Sequence, residues 1–214
     1  MKASVSAAAA AAVFVLGGCA SRGGEIDATG GITAVRSACP AVAVPAGTGD
    51  VTLFDPASDT SEASLDVTAT MTNVRSTCND AGDQVATTVT FDVLARRTRT
   101  DAARDVALPY FITVVRGGSA VVAKRVGQLS VHFDAGQARA QASGRASTQV
   151  TRAAATLPQE VRDRLTRRRK AGDEDAAIDP LSAPEVRQAV ARATFEALVG
   201  FQLTDAQLRY DATR

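Results

Sequence analysis

Apolar and polar residues alternate with a period of two along most of the chain, and the period lengthens only in the stretch from 156 to 193. Successive side chains on a strand point to opposite faces, so this alternation predicts strands with one face in a core and one in water. Ala41-Val42-Ala43-Val44, closed by Pro45, and Val51 to Phe54, closed by Asp55-Pro56, read as two short strands bounded by turn residues. Leu65, Val67, Ala69 and Met71 alternate with Asp66, Thr68, Thr70 and Thr72. Val85, Thr87, Val89, Phe91 and Val93 alternate with Ala86, Thr88, Thr90 and Asp92, and the turn cluster 79–83 predicts that the two segments form an antiparallel hairpin. That cluster lacks the ligand spacing and closing glutamate of a calcium loop.

A basic connection, Arg96 to Arg104, leads to a strand from Val106 to Val115. Proline has no ladder donor, so Pro109 predicts an edge or a bulge there. Gly117-Gly118 turns the chain into Ala120 to Val126, and a further alternation, Leu129, Val131 and Phe133, follows. His132 falls between these with Ser130 and Asp134 on the wetter face, and reads as a solvated strand residue with no visible catalytic or metal partner. From Ala138 to Val150, small residues at 138, 140, 142, 144 and 146 oppose Arg139, Gln141, Ser143, Arg145 and Ser147. Such a strand fits where two sheets approach closely or at a thin edge.

The period then changes. Thr156 with Gln159, and Ser182 with Glu185, have the spacing of two capping boxes. The first would open a charged helix from Glu160 to Lys170, stopped by Gly172, and the second a helix with the apolar stripe Val186, Ala189, Val190 and Ala193. The basic block Arg167 to Lys170 could meet anionic headgroups, but Asp173-Glu174-Asp175 follows at once, which favours a solvated helix end. Phe195, Ala197, Val199, Phe201 and Leu203 read as a strand returning to the core, with a helix over Thr194 to Leu198 as competitor, and Thr204-Asp205 caps a final helical turn. Seven to nine short strands with this punctuation predict a mainly β chain: an antiparallel immunoglobulin/fibronectin-like β-sandwich over 32–210 with a helical insertion at 156–193.

What precedes the sandwich gives an address. Lys2 and the apolar run Val5 to Leu16 are too short to span a bilayer and have the build of a signal peptide, 1–18. Its end, Leu16-Gly17-Gly18-Cys19, resembles the lipobox of bacterial lipoproteins, which implies a diacylglyceryl group on Cys19; an ordinary signal peptide with a cysteine nearby is the competing reading. Residues 19–31, rich in glycine and without periodicity, read as a flexible tether. Ala20-Ser21 lacks the aspartate of an inner-membrane retention signal, so the expected location is the outer membrane, facing the periplasm.

Composition narrows the function classes. A net charge of +1 argues against a nucleic-acid binder, which normally carries a marked basic excess. Aromatic residues make up 4% of the chain and tryptophan is missing, so a sugar-stacking platform is hard to assemble. With Cys19 given to the lipid, Cys39 and Cys78 remain of three cysteines, a disulfide candidate in an oxidising compartment against the alternative of two buried thiols. A metal site is not expected, since His132 is the single histidine.

Cys39-Pro40 with Val42-Ala43-Val44, Leu108-Pro109-Tyr110-Phe111, Val122-Ala123-Lys124-Arg125-Val126, and Val199-Gly200-Phe201-Gln202-Leu203-Thr204 with Gln207, Leu208 and Tyr210 together resemble an uncharacterised family of bacterial envelope lipoproteins. The likeness covers most of 31–210, departs at the charged segment 160–184, and implies the anchor and the cysteine pair but no catalytic residues. Two functional classes follow. The first is a non-catalytic, lipid-anchored module, held to the membrane by its lipid and binding an envelope protein or polymer through a strand edge or end loops. The second is an envelope hydrolase or transferase with a loop-borne carboxylate site. No nucleophile elbow, metal cluster or phosphate-cradling glycine loop favours the second, and no cofactor is expected.

Overall fold

The computed structural model describes residues 25–26, 32–33, 37–167, 172–173 and 178–213, so Cys19 and the segment 1–18 lie outside the described residues. The chain divides into two units, 1–35 and 36–214. In the first, β1 (Glu25–Ile26), within the stretch read as a tether, pairs antiparallel with β2 (Ile32–Thr33).

The second unit is mainly β. Its strands are β3 (Ala41–Ala43), β4 (Asp50–Phe54), β5 (Leu65–Asn79), β6 (Gln84–Arg97), β7 (Arg104–Arg116), β8 (Ala120–Phe133), β9 (Arg139–Thr151) and β10 (Phe195–Phe201). They form two four-stranded sheets, ordered β3-β10-β7-β8 and β4-β5-β6-β9. The pairings are antiparallel except for β3, which lies parallel to β10. After β3 the chain crosses directly to the other sheet, and β3 meets β10 only near the end of the chain, so no hairpin dictates its direction.

The alternation translates into burial. Val67, Val89, Val93, Leu108, Val131, Phe133 and Val199, drawn from both sheets, are fully buried in one shared cluster. Each such side chain contributes about 1.5–3 kcal/mol through burial. A second cluster joins Val85, Val114, Val150, Ala155 and Phe195, with Ala38 and Cys39 packed against it. There Cys39, just ahead of β3, forms a disulfide with Cys78 on β5, linking the approach to one sheet with a strand of the other. The reading as two free thiols is thereby excluded.

The small residues of β9 find their reason at an edge. The Phe91 ring occupies the space where a Cβ on Gly144 would sit. Tyr110 meets that ring edge-on at 5.2 Å and donates its hydroxyl to the Arg145 carbonyl at 2.9 Å, tying the two sheets together. Tyr110 in turn fills the space above Gly127, where an added Cβ would come within 2.6 Å of its ring. Through that glycine the two segments read separately at 120–126 and 129–133 run on as the single strand β8.

Pro109 corrects an expectation, because β7 is an interior strand. The Pro109 carbonyl accepts from the Gln202 amide at 2.8 Å, so its missing N–H points toward the β10 side. In this register Pro109 lies opposite Gln202, one step beyond the last β10–β7 pair, Phe201 with Tyr110, so the missing N–H removes the return bond to Gln202 and the ladder ends there.

The longer period at 156–193 gives short helices: α1 (Arg152–Ala155), α2 (Gln159–Thr166) and α3 (Pro184–Ala193), followed by α4 (Asp205–Asp211) after β10. Neither of the two expected capping boxes forms. Thr156 is instead the C-cap of α1, its hydroxyl donating to the Arg152 carbonyl, and α2 starts behind Pro158. Ser182 ends a 3-10 turn (Pro180–Ser182) that Asp179 caps, leaving Ala183 ahead of α3. A capping box does form at α4, between Thr204 and Gln207. Residues 168–170 of the basic block lie outside the described residues. No helix among the described residues is long and apolar enough to cross a membrane.

One polar residue organises an end of the fold. Arg97, the last residue of β6, is 2% exposed and stacks its guanidinium 5.1 Å from the Phe133 ring centroid. Nε donates to the Gln137 carbonyl at 2.8 Å, Nη1 to Ala102 at 2.6 Å, and Nη2 to Asp134 at 2.7 Å and Thr100 at 3.3 Å. Those carbonyls belong to 98–103 and 134–138, the connections by which the chain crosses from β6 to β7 and from β8 to β9. A single buried cation thus clasps both crossings.

Candidate functional site

Among the described residues β8 is the outermost strand of its sheet, bonded to β7 on one side only. Its two halves differ. From Gly127 on, burial alternates and Val131 and Phe133 enter the core, whereas every residue of 120–126 is exposed. Both faces of this half therefore meet water, while the paired stretch of β7, residues 111–115, is buried throughout. Val121 is 64%, Val122 50% and Val126 59% exposed, a concentration of apolar surface at one strand edge.

The turn Gly117-Gly118, both at positive φ, feeds this edge and lets the chain reverse tightly. A register shift at Val114/Val115 breaks the regular ladder beside it. The Thr113 hydroxyl donates to the Ala123 carbonyl at 2.8 Å and secures the strand to β7. Lys124 lies with Nζ 5.2 Å from the Phe111 ring centroid, while Arg125, the next residue, takes the opposite face. On the free side, alternate residues of an outer strand present N–H and C=O groups without a ladder partner. The edge thus combines backbone groups without a ladder partner among the described residues, apolar side chains on both faces, and two positive charges with no acid among 120–126.

Other sequence-marked groups fall elsewhere. Cys39 and Cys78 are joined and serve structure. His132 is exposed, as expected, yet it has partners: Nδ1 lies 2.9 Å from Asp105, directly across on β7, and Nε2 lies 3.4 Å from Asp134. The hydrogen bond to Asp105, and then its charge, raise the His132 pKa above its ordinary value, with Asp134 adding to the effect. The Asp105 contact comes from strand register, which the local sequence around His132 does not display. No group of three or more His, Cys, Asp or Glu side chains that could hold a metal ion occurs among the described residues.

The outer face of the second sheet is polar. Asp92 accepts from the Ser143 hydroxyl at 2.7 Å and the Asn73 amide at 2.8 Å, and these bonds lower its pKa in that order. Thr88 and Ser147 are hydrogen-bonded at 3.1 Å across the same strands. Compared with known proteins, the chain matches no family model, no curated protein and no solved structure.

Proposed function

We propose that the chain is a non-catalytic binding module, lipid-anchored at Cys19 to the outer membrane and facing the periplasm, which captures an extended acidic segment of an envelope protein as an added strand on β8. The observation that carries this reading is the exposure of all of 120–126 at a sheet edge, with Val121, Val122 and Val126 uncovered. Strand addition uses the free backbone groups for affinity and alternate side chains for specificity. Lys124 and Arg125 set the charge of the occupant. Two copies of this edge would bring together four cations and no acid, which disfavours self-pairing, while an incoming strand of alternating acidic and apolar residues satisfies both the charges and the valines.

The address rests on Leu16-Gly17-Gly18-Cys19 and on the resemblance to envelope lipoproteins, and the disulfide between Cys39 and Cys78 suits an oxidising compartment. Within the same reading the two sheets and their common core form a sandwich of the immunoglobulin/fibronectin kind. Mass spectrometry of the native protein is expected to find the chain starting at an acylated Cys19. An uncut N-terminus or a free thiol there removes the membrane address.

The edge is tested on the full chain with synthetic extended peptides of alternating valine and glutamate, or valine and lysine. The glutamate peptide is expected to bind and to slow amide hydrogen exchange at 121–126, and the double substitution Lys124→Glu with Arg125→Glu to transfer the preference to the lysine peptide. Binding that ignores peptide charge, protection elsewhere, or a dimer formed through β8 without peptide would sink the assignment.

A further inference from the structure

On the outer face of the second sheet, beyond Leu94 from the Asp92 network, the β6–β9 ladder ends on the directly opposed pair Arg96 and Arg139. Both are exposed, and neither is in an ion pair among the described residues. Like charges opposite one another on neighbouring strands, with Cβ atoms about 5 Å apart, destabilise a sheet. Their nearest neighbours on this face are Thr68, Gln141 and Leu94, none of them charged. The pair borders an open trough of about 590 Å³, lined also by Thr68, Thr70, Gln141 and Leu94, the last 49% exposed.

Of the acids nearby, Asp66 is already paired with cations. Asp50 accepts from the Thr70 hydroxyl at 2.6 Å, and Asp66, beside the trough, is held by Arg104 at 2.6 Å and Arg99 at 3.6 Å. The buried Arg97 guanidinium, bonded to backbone carbonyls and to no carboxylate among the described residues, keeps its charge and adds to the positive potential at this end of the sheet. Two guanidinium forks on adjacent strands can converge on one tetrahedral anion, each donating paired N–H groups. Thr68 and Gln141 add neutral hydrogen-bonding groups beside it, and Leu94 an apolar patch for whatever the anion is attached to.

We infer that Arg96 and Arg139 form a binding site for a phosphate-bearing ligand, with the phosphate between the guanidiniums and its substituent in the trough. This site is on a different sheet from the β8 edge and does not depend on it. The phosphate can come from a lipid headgroup or from a phosphorylated sugar, and in this aromatic-poor chain recognition of either rests on charge, not on stacking.

The test titrates the full chain with inorganic phosphate, glucose 6-phosphate, glucose and short-chain phosphatidylglycerol below its micelle concentration, following the arginine Nε–H signals by NMR. The phosphates are expected to shift the Arg96 and Arg139 signals saturably and glucose to leave them unmoved. Arg96→Gln or Arg139→Gln should each weaken binding about tenfold, as expected for losing one charge-assisted contact, and the double variant should abolish it. The tighter of the sugar phosphate and the lipid identifies the source. Without ligand the single variants should melt no lower than the parent, because each relieves the opposed charges. No saturable shift with any phosphate, or equal binding by the double variant, overturns the site.

Discussion

Replacing Arg97 with alanine is expected to destabilise the domain by about 3–5 kcal/mol, the range of a lost charge-assisted network plus a core cavity. The change removes the guanidinium stacked on Phe133 and the donors to four carbonyls. Their losses are unequal. The Thr100 carbonyl still accepts from Gly136 N, and that of Asp134 from Gln137 N, whereas those of Ala102 and Gln137 have no other partner among the described residues. Arg97→Met, which keeps most of the volume, isolates this polar part at roughly 2–4 kcal/mol for two orphaned acceptors. Arg97→Lys keeps the charge but brings one compact ammonium to acceptors arranged around a planar fork, so it should restore less than half of the loss. Urea unfolding midpoints measure all three. A methionine variant as stable as the parent would mean that the crossings are held by something else.

That arginine also marks the limit of the sequence. Positions 85, 87, 89, 91, 93 and 95 of β6 face the core, and the next position in phase is 97. The signal was present, but an arginine beside Arg96 and ahead of Arg99 reads as part of a solvated basic connection, because an arginine is rarely buried without a carboxylate. Strands whose two faces differ in chemistry were legible: the first half of β5, β6, the second half of β8, and β10 each follow their alternation. The first half of β8 was not. The run Ala120 to Val126 has no alternation to assign a buried face, and this half is exposed on both. Exposure there depends on strand order, which local pattern does not encode. The same holds for the pairing of Arg96 with Arg139 and of His132 with Asp105, each set by register between segments distant in sequence. The two missed capping boxes failed for a nearer reason, since in each case an adjacent turn had already taken the capping residue.

Loss of the disulfide is expected to cost about 4 kcal/mol, the value for closing a loop of this length, because the linked cysteines are 39 residues apart. For a domain of this size that lowers the melting temperature by roughly 8–16 °C. The damage should also be uneven. β3 pairs with β10 through only three residues, and the segment before it touches the smaller core cluster through Ala38 and Cys39. The covalent link to Cys78 on β5 therefore supplies much of what holds β3 in its sheet, while β5 itself keeps β4 and β6 as neighbours. In the double variant Cys39→Ser with Cys78→Ser, hydrogen exchange should accelerate first at 38–43, with the interiors of β5 and β6 opening only with the whole domain. Reducing agent added to the parent protein should reproduce both the drop in stability and this order of opening. A variant that loses stability evenly across both sheets, or loses less than about 0.5 kcal/mol, would show that β3 is held by its parallel ladder and the packing of Ala38, with the cross-link contributing little beyond them.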